Sequence, residues 1–156
     1  MNNKIPDRYI PIGLSKKDYS KQRKNIIRSR KNYIKGKYIN RPHLKSFIPK
    51  LSPHILRAKK LYNVSSMEPT PILAKASGCS QSTLHKIISK GQGAYYSSGS
   101  RPNQTAHSWG YARLGSSLTG GPSSQIDYNL LKLGCSKKSI ALKYANKTRK
   151  NRTISK

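Results

Sequence analysis

Thirty-two lysines and arginines stand against four aspartates and glutamates in 156 residues, a formal charge of +28 at neutral pH. Like charges brought together repel each other, so a chain of this kind opposes its own collapse into a compact monomer. It calls for a polyanion. Nucleic acid is the usual one, because each phosphate neutralised by a cation releases condensed counterions, a gain that neutral or acidic partners cannot supply. The charge points to a class of partner and says nothing about sequence specificity.

Apolar residues make up 34% of the chain, below the roughly 45–50% of ordinary globular domains. Any core is therefore modest, and part of the chain is expected to be disordered on its own. The length suits one domain, or a small domain with tails. Cys79 and Cys135 are far apart, with no CxxC pair and no Cys–His cluster. That pattern argues against zinc and against a disulfide framework, and fits a reducing compartment. The opening MNNKIPDRYIPIG lacks the apolar run of a signal peptide, and no later stretch has the length of an apolar membrane span. The expectation is an intracellular or virion protein, neither secreted nor membrane-bound. The sequons at Asn63, Asn103, Asn146 and Asn151 then carry no expectation of glycosylation. Ten tyrosines against one tryptophan and one phenylalanine suit a thin core or a base-stacking surface, though a bias toward A/T-rich codons is the plainer cause.

Eighteen of the cations fall in residues 1–61, six in 62–135 and eight in 136–156. The division expected is a basic arm with one long helix over 1–50, a central helical module with a Gly/Ser/Tyr loop over 51–135, and a basic helix and tail over 136–156. In the arm, Ser15 can cap a helix with Asp18 three residues on, and Gly36 can end it after Tyr33 or Ile34. Tyr19, Ile26, Ile27, Tyr33 and Ile34 form its sparse apolar stripe. Lys16, Lys17, Lys21, Arg23, Lys24, Arg28, Arg30 and Lys31 surround that stripe and are candidate phosphate contacts. Like charges at i,i+4 fray a free helix, so this helix is expected to form fully on phosphates; a solvated basic helix lying on the core is the plainer alternative. Pro42 and Pro49 favour extended chain over 37–52. Ser52-Pro53 then opens a second helix to Leu61 or Tyr62, with Ile55, Leu56, Ala58 and Leu61 inward.

The sharpest local pattern lies over residues 70–88, TPILAKASGCSQSTLHKII. A small residue, Ala74, is followed four positions later by Gly78, then by an apolar slot at Cys79 and a cap at Ser80. Leu84, Ile87 and Ile88 would bury the second helix. This arrangement resembles the helix-turn-helix of DNA-binding repressors, with Ser77 standing where an apolar residue is commoner. The resemblance implies that Gln81, Ser82, His85, Lys86 and Ser89 face a major groove, with the helix N-terminus toward a phosphate. A structural helical hairpin with no groove contact fits the same residues. The outward set is poor in arginine, so strong guanine recognition is not evident.

The next stretch is KGQGAYYSSGSRPNQT, residues 90–105. Gly91 is expected to end the helix, and the remainder to form a loop. Tyr95, Tyr96 and Arg101 are candidates for single-strand or phosphate contact, with Trp109 either a stacking platform or core. An ordered loop that caps and packs its neighbours is the alternative. No GxxxxGK[ST] spacing exists, so this is not a Walker A loop. Thr105 can cap a helix over Ala106–Leu118, whose Gly110 and Gly115 allow another backbone to approach. Gly120-Gly121-Pro122 ends it.

The segment KGQGAYYSSGSRPNQTAHSWGYARLGSSLTGG, together with the opening IPDRYIPIGLSKKDYSKQRK, resembles an uncharacterised family of small, strongly basic proteins encoded by large double-stranded DNA viruses. The resemblance spans most of residues 5–135. It implies a viral protein present with the genome or the particle, and it supplies no catalytic residues to carry over.

After it, a helix around Ile126–Leu133 stopped by Gly134 and another over Lys137–Ala145 capped by Ser136 are expected, with Asn146–Lys156 a basic tail disordered until bound. Asp7, Asp18, Glu68 and Asp127 are widely separated, and His43, His54, His85 and His107 form no HxH or HExxH. No metal site and no cofactor site is legible, Cys79 reads as an inert buried thiol, and no enzyme is expected. The fold expected is mostly α: a small helical domain with a helix-turn-helix-like pair and extended basic termini. The function expected is non-enzymatic nucleic-acid binding, duplex DNA favoured, that organises or packages a viral genome. The alternative is a minor capsid or internal virion protein whose basic arms cement neighbouring capsid subunits. An RNA-binding, ribosome-like component is a third reading. Location follows: the virion, or the host nucleus or cytoplasmic viral factory.

Overall fold

Ser15, Ser80 and Thr105 start the helices expected of them in the computed structural model, which describes residues 3–154. Eight α-helices and one 3-10 turn at Asp7–Tyr9, with no strand, are found among the described residues. The helices are α1 (Lys16–Ile34), α2 (Pro53–Tyr62), α3 (Pro71–Ser77), α4 (Gln81–Ser97), α5 (Ala106–Leu118), α6 (Ser123–Ile126), α7 (Tyr128–Gly134) and α8 (Ile140–Ile154). No helix among the described residues is long and apolar enough to cross a membrane. The chain divides into two compact units. One holds the residues up to Lys50 with Gln92–Trp109; the other holds Leu51–Gly91 and the chain from Gly110 onward. Helices α4 and α5 each contribute to both.

In the first unit, the Ser15 side chain accepts from the Asp18 N–H at 3.1 Å and starts α1. Gly36 stops it at φ +76°, its N–H on the Tyr33 carbonyl and that of Lys37 on Asn32. Of the apolar stripe expected on α1, Ile26 is buried and Ile27 packs beside it, while Tyr19 is 49% exposed and Ile34 74%; Asp18, Gln22 and Ser29 share the buried face with Ile26. Hydrogen bonds supplement apolar packing along it. Gln22 donates to the Tyr9 and Ser100 carbonyls, and Ser29 to that of Tyr96 at 2.9 Å. Ile5, Tyr9 and Ile26 form a small core with Trp109, whose ring meets Tyr9 edge-on at 5.8 Å. The segment 37–52 has neither helix nor strand. It is clasped by Asn103, which takes positive φ and whose amide bonds Leu44 N–H and O and the Phe47 carbonyl.

In the second unit, Ala58, Met67, Leu73, Leu84, Ile87, Leu114, Leu118, Leu131 and Ala141 share one core. Ser52 sits at the start of α2, but its side chain makes no cap hydrogen bond. Leu56 is half exposed, and Tyr62 is buried instead, its hydroxyl on the Leu118 carbonyl; burial pushes that hydroxyl's pKa up. Thr70 caps α3 and Ser80 caps α4. Gly78 between them has φ +75°, and a Cβ there would lie 2.6 Å from that of Ser139.

Further expectations are overturned by the fold, among them a start of the last helix at Lys137 under a Ser136 cap: it begins at Ile140, with the Leu142 N–H on the Ser139 hydroxyl. Helix α4 does not end at Gly91. It runs on to Ser97 because a Cβ at Gly91 would come within 2.7 Å of the Gly110 Cα: the glycine serves a helix crossing, not a stop. Cys79 is not a thiol. It is joined to Cys135 in a disulfide across 56 positions, at an isolated antiparallel bridge flanked by hydrogen bonds from Ser80 N–H to Gly134 and from Ser136 N–H to Gly78. The helix around 126–133 is split at Asp127, which is buried between α6 and α7 and bonded by Arg113 and Ser117. Residues 146–154 are helical rather than a disordered tail. Helix α8 is held there by Thr148 on the Gly120 carbonyl at 2.7 Å and by Arg149 over the Tyr128 ring at 4.2 Å.

Candidate nucleic-acid interface

On α1, Lys16, Lys17, Arg23, Lys24, Arg28 and Lys31 are exposed, as a phosphate contact requires. Lys21 and Arg30 are partly engaged within the protein. Lys21 reaches the His43 carbonyl at 3.4 Å, and Arg30 donates to the Ser98 and Lys4 carbonyls at 2.8 and 3.2 Å. Asp18, the one carboxylate of this helix, is turned onto Ser46, accepting from its N–H at 2.9 Å and its hydroxyl at 2.6 Å. Those bonds hold its carboxyl below the usual carboxylate range. Lys21 and Lys17 nearby add to the effect, so this carboxylate offsets part of their charge.

Tyr95 corrects its part of the expected stacking platform. Tyr95 is 1% exposed and its ring is covered by Arg41, so no base can reach it. Tyr96 is half-buried, with its ring 5.0 Å from Tyr95 and 5.2 Å from Tyr38 and its hydroxyl toward Asn40. Sequence reasoning misses Arg41. Its guanidinium bonds the Tyr95 carbonyl and the hydroxyls of Ser29 and Ser100, and burial pulls its pKa below the usual arginine value. No local signal marks it, since its partners lie 12 to 59 positions away. Arg101 is exposed.

Helix α4 alternates two exposed residues with two buried ones from Gln81 to Lys90. Gln81, Ser82, His85, Lys86, Ser89 and Lys90 face outward, while Leu84, Ile87 and Ile88 enter the core. The period follows from 3.6 residues per turn with a core on one side. Gln81 is tied, its amide nitrogen donating to the Pro69 carbonyl at 2.9 Å. Ser82, His85, Lys86, Ser89 and Lys90 line an open groove of about 470 Å³ with Leu130 of α7. A further cationic surface runs along α8: Lys143 is exposed in the expected helix, and Lys147, Arg149, Lys150 and Arg152 are exposed where a tail is expected. Among the described residues no cluster of three or more His, Cys, Asp and Glu is placed to hold a metal ion.

Residues 6–126 match a family of unknown function, DUF5824. The chain belongs to that family. The DUF5824 span takes in α1 to α6, including the groove-lining face of α4, and leaves α7 and α8 outside it. Cys79 therefore lies within the DUF5824 match and its disulfide partner Cys135 beyond it. No curated protein and no solved structure matches the chain.

Proposed function

We propose that this protein is a non-enzymatic nucleic-acid-binding protein, duplex DNA favoured, that organises or packages a viral genome. One observation carries the reading: the cationic charge has almost nothing inside the protein to offset it. Of the four carboxylates, Asp127 is buried in an ion pair with Arg113 at 2.7 Å and Asp18 is bound to Ser46, leaving Asp7 and Glu68 exposed. Nearly all of the thirty-two cations remain to be matched from outside. Phosphate contacts by α1 and α8 would supply affinity without sequence information, and α4 would dock against the duplex. Viral origin rests on the resemblance of the Gly91–Gly121 segment and the N-terminal stretch.

Salt-titrated binding to duplex DNA, single strands and RNA of equal length tests this. With about eight phosphates contacted, log K against log salt should slope near −7 for the duplex. A slope shallower than about −3 contradicts phosphate-dominated binding. Stronger binding to structured RNA would move the reading to RNA. Firm attachment to shell protein with no duplex affinity near 0.15 M salt is what the cementing role would give.

A further inference from the structure

Three tyrosines of the first unit meet at its surface. The ring of Tyr38 lies 5.8 Å from that of Tyr33 and 5.2 Å from that of Tyr96, tilted by 46° and 40°. Tyr96 in turn meets the buried Tyr95 edge-on, and Arg41 is fastened to the Tyr95 ring and carbonyl. Arg41 stands three positions after Tyr38, so the irregular segment that bears the outermost ring is tied down beside it. Tyr38 is nevertheless 67% exposed and Tyr33 37%. At those tilts neither neighbour lies flat on Tyr38. Packing has positioned this ring without covering it, and a ring ordered in advance costs little side-chain entropy when something binds to it.

The surroundings select the ligand. Lys31, Lys35 and Lys37 are exposed and stand within two positions of Tyr33 or Tyr38. Neither stretch that forms the cluster, 28–41 or 91–101, contains a carboxylate. Asp18, on the same helix as Tyr33, is fifteen residues away, about 22 Å along the axis. Grouped aromatic rings also attract cations, but a surrounding positive field repels them. What fits is a flat π system attached to negative charge, which is a base on its strand. Within a duplex the faces of a base are stacked on its neighbours, so only an unpaired base is free to lie on Tyr38. We infer that Tyr38, held by Tyr33 and Tyr96, stacks an unpaired base of single-stranded DNA, with phosphates of that strand drawn to the lysines around it. The inference rests on the nucleic-acid-binding reading above and adds a second mode to it, for a strand displaced or frayed from the duplex.

The test compares a short oligothymidine with an abasic strand of equal length, which keeps every phosphate and lacks every base. At one salt concentration the full chain should bind oligothymidine about tenfold more tightly. Tyr38→Phe, which keeps the ring, should retain that preference, and Tyr38→Leu, which keeps apolar bulk without the ring, should lose most of it. The side chain is largely exposed, and circular dichroism verifies that both variants keep the fold. Their affinities for the abasic strand and for duplex DNA should stay as in the parent, which a merely structural role would not give. Equal affinity of the parent protein for both strands, with steep salt dependence, overturns base stacking and leaves phosphate binding standing. A preference that survives in Tyr38→Leu overturns the assignment to this cluster, and one lost as fully in Tyr38→Phe overturns the ring as its source. Tighter binding of oligouridine than of oligothymidine overturns DNA as the strand. No binding to any strand or duplex at low salt removes the nucleic-acid reading itself, and this inference with it.

Discussion

The Cζ atom of Arg41 lies 3.8 Å from the centre of the Tyr95 ring, and its Nη1 donates to the Tyr95 carbonyl at 2.6 Å. The Arg41 backbone N–H donates in turn to the Tyr95 hydroxyl at 3.2 Å. One residue of an irregular segment is thereby fastened to the last turn of α4. Charge-assisted hydrogen bonds and a desolvated cation–π contact together make this a strong local tie. Arg41→Ala should lower unfolding free energy by about 2–4 kcal/mol. Arg41→Lys should recover only part of it, because an ammonium lacks the planar fork that meets Ser29, Tyr95 and Ser100 at once. Urea midpoints measure both, and an unchanged midpoint in Arg41→Ala would show the tie contributes nothing.

Replacing glycine by alanine inside a helix ordinarily gains about 1 kcal/mol. At Gly91 the sign should reverse. The added methyl group would stand 2.7 Å from the Gly110 Cα and 3.2 Å from the Arg113 Cβ, and backbone cannot rotate away as a side chain can. Gly91→Ala should therefore cost about 1–3 kcal/mol net. Thermal unfolding decides it: a raised Tm would mean the two helices do not meet there.

The Cys79–Cys135 disulfide closes a loop of 56 positions, and chain entropy alone assigns such a closure about 4 kcal/mol. Cys79→Ser or Cys135→Ser should lose about 2–4 kcal/mol. Reductant should lower the melting temperature of the parent protein and leave a Cys79→Ser/Cys135→Ser variant unaffected. Mass spectrometry after thiol alkylation of the unfolded, unreduced protein should find no free thiol; two alkylated cysteines would refute the pairing.

Asp18 supplies a pH dependence with a definite sign. Its carboxyl is held below 3.8 by the two bonds from Ser46, with smaller help from Lys21 and Lys17. The unfolded chain therefore takes up the proton at higher pH than the folded one, and stability rises with pH across that interval. The contribution is complete above the ordinary aspartate range and fades as pH falls through the lowered value. Melting curves of the parent protein and Asp18→Asn should differ by a constant amount above about pH 5 and converge in stronger acid. A gap that persists unchanged at low pH would remove ionisation as its cause.

Features that depend on neighbours within a few residues are legible in the amino-acid order itself. Ser15, Ser80 and Thr105 cap the helices expected of them, and Gly36 and Gly78 take the left-handed turns. The alternation along α4 is equally legible, since a helix with a core on one side exposes residues at a fixed period. The Arg41–Tyr95 tie, the Gly91–Gly110 crossing and the Cys79–Cys135 bond are not. Each joins residues far apart in sequence, and a side chain's local pattern carries no record of what folding brings against it. The same cause places Tyr95 in the interior rather than on a stacking surface, and carries α8 on through residues 146–154, where a tail is expected. Charge and caps are properties of composition and short range, so the amino-acid order settles the helical character and the cationic excess. Which glycine breaks a helix, which tyrosine stays accessible and which cysteine is bonded depend on long-range packing, and only the folded molecule decides them.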